Sequence, residues 1–280
     1  MWEERIAEAE RSQPSDFAAT NGRVVAALQG AWSAIVTIPE PDDDPSSGVF
    51  AADRLRLALE AAVRGGGDTD TVAAIAGGLL GAAYGASAVP SHWRLVLKGW
   101  PGLNTRGLVN LVNKILNDGQ PDRFDHSYQS WRGEIRPRRH PHDDGVWIGA
   151  APSLHKPPSG VDAVVSLCRV ADGHIPAGVR HLDVRLIDQV GTNANLDFVL
   201  LDTVRAIEQL RGEGATVFLH GLAAHSRTPA VAALYGARRA GIDVDEALAE
   251  VCAVLPNADP NRELRAALRR LHPATERGNR

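Results

Sequence analysis

VFLHGLAAHSRTPAVAALYGARRAGIDVDE, residues Val217–Glu246, decides how the second half of the chain is read. The apolar run ending at His220 predicts a strand, Thr216 to His220, and Pro229 marks the first turn of a helix reaching Ala240. Between them lie Gly221, Leu222, Ala223, Ala224, His225, Ser226 and Arg227. A short loop that feeds a helix N-terminus points several backbone N–H groups into one concavity. The positive end of the helix dipole adds to their pull on an oxyanion. Arg227 supplies a planar fork suited to two phosphate oxygens. Gly221, Ala223, Ala224 and Ser226 are small enough for a close approach of backbone to ligand.

His220, Arg227 and Thr228 fall on the pattern H-C-x-x-x-x-x-R-[S/T], and the stretch resembles the active-site loop of the dual-specificity branch of the cysteine-dependent protein phosphatases. The departure is at the nucleophile, where this chain has Gly221. The upstream segment DGVWIGAAPS, from Asp144, resembles the family's opening strand. The resemblance implies an α/β phosphatase domain, a phosphate-binding loop at 221–227, and a thiolate nucleophile at position 221. It implies that Thr228 assists breakdown of the phospho-enzyme and that His220 buttresses the loop. It also implies an aspartate general acid on another loop. Asp188 is the first choice, following an expected strand, with Asp183 and Asp197 as weaker alternatives. No cofactor is implied for this domain, and the expected ligand is a phosphorylated substrate or a phosphate or sulfate ion. Glycine has no attacking group, so the site reads as a phosphate cradle without turnover, whether Gly221 is natural or introduced. His225 is expected to point outward. The two cysteines do not replace the missing one: Cys252 reads as helix core and Cys168, at the end of VVSLC, as a buried structural thiol.

The first part of the chain has another character. ALEAAVRGGGDTDTVAAIAGGLLGAAYGASAVPSHWRLVLKGW, with NGRVVAALQGAW before it, resembles the C-terminal portion of the ADP-ribosylglycohydrolase family. Its centre is Asp68-Thr69-Asp70-Thr71. Oxygen donors at a helix start suit a hard cation, and the resemblance implies that Asp68, Asp70 and Thr71 are part of a Mg²⁺ or Mn²⁺ site acting on an ADP-ribose-containing ligand. The family's opening Gly-rich helix and earlier Thr-Asp-Asp motif have no counterpart here, and Asp42-Asp43-Asp44 between prolines reads as a solvated loop. By themselves the same residues read as a helix cap, with Asp70 or Thr69 capping and Asp68 exposed. The uncharged run Val72 to Val89 spans 18 residues. It is dominated by Ala and Gly, whose transfer free energy is small, so a buried helix of a soluble domain is expected in place of a membrane span.

The whole chain of 280 residues suits two domains. Helical periodicity covers 1–120, with helices expected at 2–11, 22–38, 49–63, 71–89, 91–97 and 105–116. Residues 121–144, with the basic, proline-bearing run Arg136 to His142, read as a linker. From 145 to 280 short apolar strands alternate with helices. Strands are expected at 145–148, 163–166, 179–186 and 216–220, and helices at 196–211, 229–240, 244–254 and 261–271. This predicts a central, mostly parallel sheet flanked by helices, preceded by an all-α partial domain. A net charge of −4 leaves no nucleic-acid footprint. Two cysteines and no recognisable signal peptide suggest the cytoplasm, and the abundance of Ala, Arg, Gly and Asp suggests a GC-rich bacterial genome. Three functions follow. The first is a phosphomonoester hydrolase of the dual-specificity type disabled at Gly221, the second a non-catalytic phospho-ligand binder, and the third an ADP-ribose-directed protein.

Overall fold

The computed structural model describes residues 1–120, 136–170, 173–255 and 257–274. The chain divides into two compact units, Met1–Pro90 and Ser91–Arg280.

The first unit is helical: α1 (Trp2–Glu10), α2 (Val24–Val36), α3 (Asp53–Arg64) and α4 (Thr69–Tyr84). α2 packs against each of the other three. Its buried face is mostly alanine (Ala27, Ala31 and Ala34), and α3 answers with Leu55, Ala58 and Ala62. Gly30 belongs to that close packing, since a Cβ there would meet both methyls of Val72 at 3.6 Å. α4 is not the wholly buried helix expected for 71–89. It buries only Val72, Ala76 and Leu80 and exposes Leu79, and it stops at Gly85, whose φ of +74° is left-handed. No helix among the described residues is long and apolar enough to cross a membrane.

The second unit begins with α5 (Ser91–Val96), a two-residue hairpin of β1 (Lys98–Gly99) and β2 (Leu103–Asn104), and α6 (Thr105–Leu116). The helical region expected to run unbroken to 120 therefore divides at Pro90. The physical reason is packing: α5 lies on the α/β layers that follow. Ser91 donates through both its N–H and its hydroxyl to Asp202, and Arg94 donates to the Asp183 carbonyl at 3.1 Å.

Five strands form one sheet: β3 (Arg138–His140), β4 (Asp143–Ala150), β5 (Ala163–Ser166), β6 (Arg180–Asp183) and β7 (Val217–Gly221), in the order β3-β4-β7-β5-β6. All neighbours are parallel except the edge pair β3–β4. Both β5 and β7 are buried along their whole length, which is why they read as continuous apolar runs. Helices α7 (Leu196–Gly212), α8 (Arg227–Ala240), α9 (Val244–Val254) and α10 (Arg262–Leu271) complete the unit, with α8 against β4 and β7 and α9 and α10 against α8.

The expected linker 121–144 needs correction where it is described; residues 121–135 lie outside the described residues. Arg138–His140 form an edge strand, and β4 already begins at Asp143. A basic stretch next to prolines suits an edge, because one side of such a strand has no ladder to complete. Arg139 lies over the Trp147 ring at 3.8 Å, and His140 is buried with its Nε2 on the Ala232 carbonyl at 2.9 Å.

Candidate functional site: an oxyanion loop at the end of the sheet

β7 carries the chain to Gly221 in the middle of the sheet, and α8 starts at Arg227. The turn between them is anchored by its carbonyls. Leu167 N–H donates to His220 O at 2.8 Å, Ala151 N–H to Leu222 O at 3.2 Å, and Asp259 N–H to His225 O at 2.7 Å. In a trans peptide the carbonyl and the following N–H point in opposite directions. Tethering the oxygens of 222 and 225 outward therefore turns the N–H groups of Ala223 and Ser226 away from those anchors. The N–H groups of Leu222, Ala223, Ala224, His225, Ser226 and Arg227 meet no acceptor among the described residues. Ala224 sits at φ +51°, a left-handed conformation that a non-glycine residue holds only at a cost. Ala224 and Ser226 are both buried. Unpaired buried donors are rare, and N–H groups left open at a helix N-terminus are an arrangement that suits an anion.

Arg227 closes the cradle. Its Nη1 donates to the carbonyls of Leu186 at 2.8 Å and Leu167 at 3.3 Å, which fixes the guanidinium plane. Its Nε and Nη2 edge makes no hydrogen bond among the described residues, and Nε lies 3.8 Å from Asp188 Oδ2. The structure thus brings Asp188 to the loop, where Asn261 Nδ2 holds the other carboxylate oxygen at 3.1 Å. The alternatives are engaged elsewhere: Asp183 accepts from Arg185 Nε at 2.7 Å, and Asp197 takes both arms of Arg270 at 2.7 Å.

Gly221 is buried, and its backbone lies outside the left-handed region. A Cβ there would stand 3.0 Å from Thr228 Oγ1 and 3.8 Å from Arg227 Cβ. The backbone therefore does not demand glycine, and a small shift of one hydroxyl would admit a side chain. Thr228 Oγ1 donates instead to Gly149 O at 3.3 Å. His220 is fully buried, with Nε2 on Ser166 Oγ at 2.7 Å and Nδ1 on Gly221 O at 3.2 Å. Burial lowers its pKa to about 4, so it is neutral near pH 7. His225 is exposed and bonds the Asn257 carbonyl. Cys168 lies in an apolar cluster with Val164, Leu154 and Phe218.

Sequence reasoning missed Asn261 and the Ser166–His181 support behind His220. Asn261 caps α10 with its Oδ1, donates its N–H to Ser226 Oγ at 3.1 Å, and holds Asp188 with its Nδ2. Its signal was visible only as a helix cap.

In the first unit, α4 begins behind Gly65-Gly66-Gly67. Gly66 and Gly67 have φ of +83° and +73°, and a Cβ at Gly67 would collide with Ala18 O at 2.3 Å. Asn21 clamps the loop, giving its Nδ2 to Gly66 O and taking Asp68 N–H, both at 2.8 Å. Asp68 is the N-cap residue, in place of Asp70 or Thr69, and it is part-buried where exposure was expected. Its carboxyl hydrogen-bonds Asp70, and with the Asp70 and Thr71 backbone this holds the Asp70 pKa below the ordinary value. Two carboxylates and the exposed Thr71 supply only part of the six or more oxygens a hard cation takes. No group of three His, Cys, Asp or Glu that could hold a metal occurs among the described residues.

The fold places a strand–loop–helix turn with open N–H groups at the C-terminal ends of a mainly parallel sheet, where ligands collect in such sheets. A family model described as ADP-ribosylglycohydrolase matches residues 1–150, and the chain belongs to that family. No curated protein sequence matches the chain. Among solved structures, human DUSP28 is similar at 23% identity over 49% of this chain and 92% of that one, with a TM-score of 0.43. The human tyrosine phosphatase-like serine/threonine/tyrosine-interacting protein is similar at 20% identity over 49% and 95%, TM-score 0.41. OH1 from the Orf virus, a tyrosine phosphatase, is similar at 17% over 49% and 86%, TM-score 0.40.

Proposed function

We propose that the second unit binds phosphate monoesters or inorganic phosphate in the loop 221–227 and does not turn them over. The observation that carries this is the row of unpartnered N–H groups from Leu222 to Arg227, facing a helix dipole and the open edge of Arg227, with no nucleophile at 221. The loop amides hold the equatorial oxygens and Arg227 forks two of them. Asp188, 3.8 Å from Arg227, is the candidate to protonate a leaving oxygen, a role with no meaning for a pure binder. The site therefore reads as a dual-specificity-type phosphatase centre lacking only its attacking group. A thiolate would face the anion with like charge, so Gly221 binds oxyanion at least as tightly as cysteine. Calorimetric titration of phosphate, beside aryl phosphate hydrolysis by the chain and by Gly221→Cys, tests both halves. Tighter binding to the cysteine form, or turnover by the glycine form, overturns the reading.

Family membership favours a second reading for the first unit, recognition of an ADP-ribose-containing ligand. The paired Asp68 and Asp70 at the start of α4 support it. Titration of ADP-ribose into the full chain and into Asp68→Asn tests it; identical heats from both would remove the pair from any such role.

A further inference from the structure

His220 is the first of a line of buried polar groups running away from the loop. Its Nε2 meets Ser166 Oγ at 2.7 Å, Ser166 Oγ meets His181 Nε2 at 2.9 Å, and His181 Nδ1 meets Arg106 Nη1 at 3.4 Å. Arg106 stands on α6, outside the sheet, and its Nη2 is fastened to the Val170 carbonyl at 2.7 Å. At the other end, His220 Nδ1 meets the Gly221 carbonyl at 3.2 Å.

The donors and acceptors permit one direction only. A guanidinium donates and never accepts, so His181 Nδ1 is an acceptor and the proton of the neutral ring is on Nε2. That N–H donates to Ser166 Oγ. The single hydroxyl proton of Ser166 then goes to His220 Nε2, leaving the His220 proton on Nδ1, where it is donated to Gly221 O. Burial, then Arg106, then Arg185 lower the His181 pKa to about 3, in keeping with a neutral ring. Reversing the chain would place the Nδ1 lone pair of His220 against the Gly221 carbonyl and release that oxygen. Because the 221–222 peptide is planar and trans, the orientation of Gly221 O sets that of Leu222 N–H, the first donor of the cradle.

We propose that Arg106 is a positioning residue for the oxyanion loop, imposing through His181, Ser166 and His220 the peptide orientation that presents Leu222 N–H to the anion. This rests on reading the loop as an oxyanion cradle. It assigns a task in the second unit to a residue inside the ADP-ribosylglycohydrolase match.

The test is made on the full chain labelled with ¹⁵N-histidine, with inorganic phosphate as probe. In the parent and in Arg106→Lys, which keeps a donor, His220 is expected as the Nδ1–H tautomer and His181 as the Nε2–H tautomer. In Arg106→Met the His220 proton moves towards Nε2 and phosphate affinity falls about tenfold, the worth of one hydrogen bond to a charged group. Ser166→Ala, which breaks the relay and spares Arg106, removes the partner of His220 Nε2; it is expected to lower phosphate affinity in the same way and serves if Arg106→Met does not fold. His220 protonated on Nε2 in the parent overturns the proposal. So does an unchanged tautomer and affinity in Arg106→Met, or an unchanged affinity in Ser166→Ala if that variant carries the test. If the parent binds no phosphate, the cradle reading fails while the tautomers still decide the direction of the chain.

Discussion

Two small-residue loops in this molecule each deliver the chain into a helix N-terminus, and they treat the positive end of the helix differently. At α4 the glycine triplet ends in Asp68 and Asp70, so the protein's own carboxylates sit on the dipole. At α8 the loop is almost as small, but it ends in Arg227, and Asp188 meets the side chain of that arginine. The first helix start is met by carboxylates of its own, whereas the loop N–H groups at the second have no acceptor among the described residues. The difference also shows in the backbone: Asn21 engages the donor and acceptor of the first loop, while the second loop ties down its carbonyls and leaves its N–H groups open.

The largest expected effect is chemical. Gly221→Cys places a thiolate under the bound phosphoryl group, and aryl phosphate hydrolysis should rise by several orders of magnitude, up to about 10⁶-fold, the scale on which a removed nucleophile is felt. Adding Asp188→Ala should then take back about 10²-fold, the lower range for a general acid. A cysteine variant that stays silent while still binding phosphate would make the loop a recognition device only. Next in size, Arg227→Ala should weaken phosphate binding about 10²-fold, as both the charge and the fork are lost; equal calorimetric constants would break the contrast between the two helix starts.

The α4 side gives a stability prediction. Asn21→Ala leaves Gly66 O and Asp68 N–H without their partner and should cost about 1–3 kcal/mol in the first unit, read by denaturant unfolding. Acid should separate the units. Residues 1–90 contain no histidine, whereas His220 is buried with its pKa depressed from the usual 6.5 to about 4. A depressed pKa means the unfolded chain binds the proton first, so stability is full above 6.5 and falls as pH drops towards 4. By pH 5 the loss from His220 is about 2 kcal/mol. Tryptophan and amide-exchange probes of the second unit should therefore respond between pH 6.5 and 4.5, before those of the first. The smallest effect is at the rim: His225→Asp gives the second loop an exposed carboxylate like that of Asp70 and should weaken phosphate binding only a few-fold, about 1 kcal/mol or less.

Where one element's pattern was local, the sequence was read to the residue: α6, β5 and α9 begin and end where their periodicity places them. The loop was legible for the same reason, since strand, small residues, arginine and helix start are consecutive. Asp188 was chosen by its place after a strand; the structure puts it 3.8 Å from Arg227, while Arg185 and Arg270 pair with Asp183 and Asp197. What stayed hidden depends on partners far along the chain. β3 looked like a linker because its short basic run lies between Pro137 and Pro141, and only β4 beside it makes it a strand. The relay from Arg106 to His220 joins residues from four elements, and no spacing announces it.

The family match ends at residue 150, the last residue of β4, while the packing boundary falls after Pro90. A gene cut at the first boundary would leave β7 without one of its two neighbours and the loop 221–227 without the strand that leads into Ala151, Arg94 and Arg106. The two halves recognised in the sequence are therefore not interchangeable cassettes. The loop 221–227 keeps its scaffold only if Ser91–Ala150 is inherited with it.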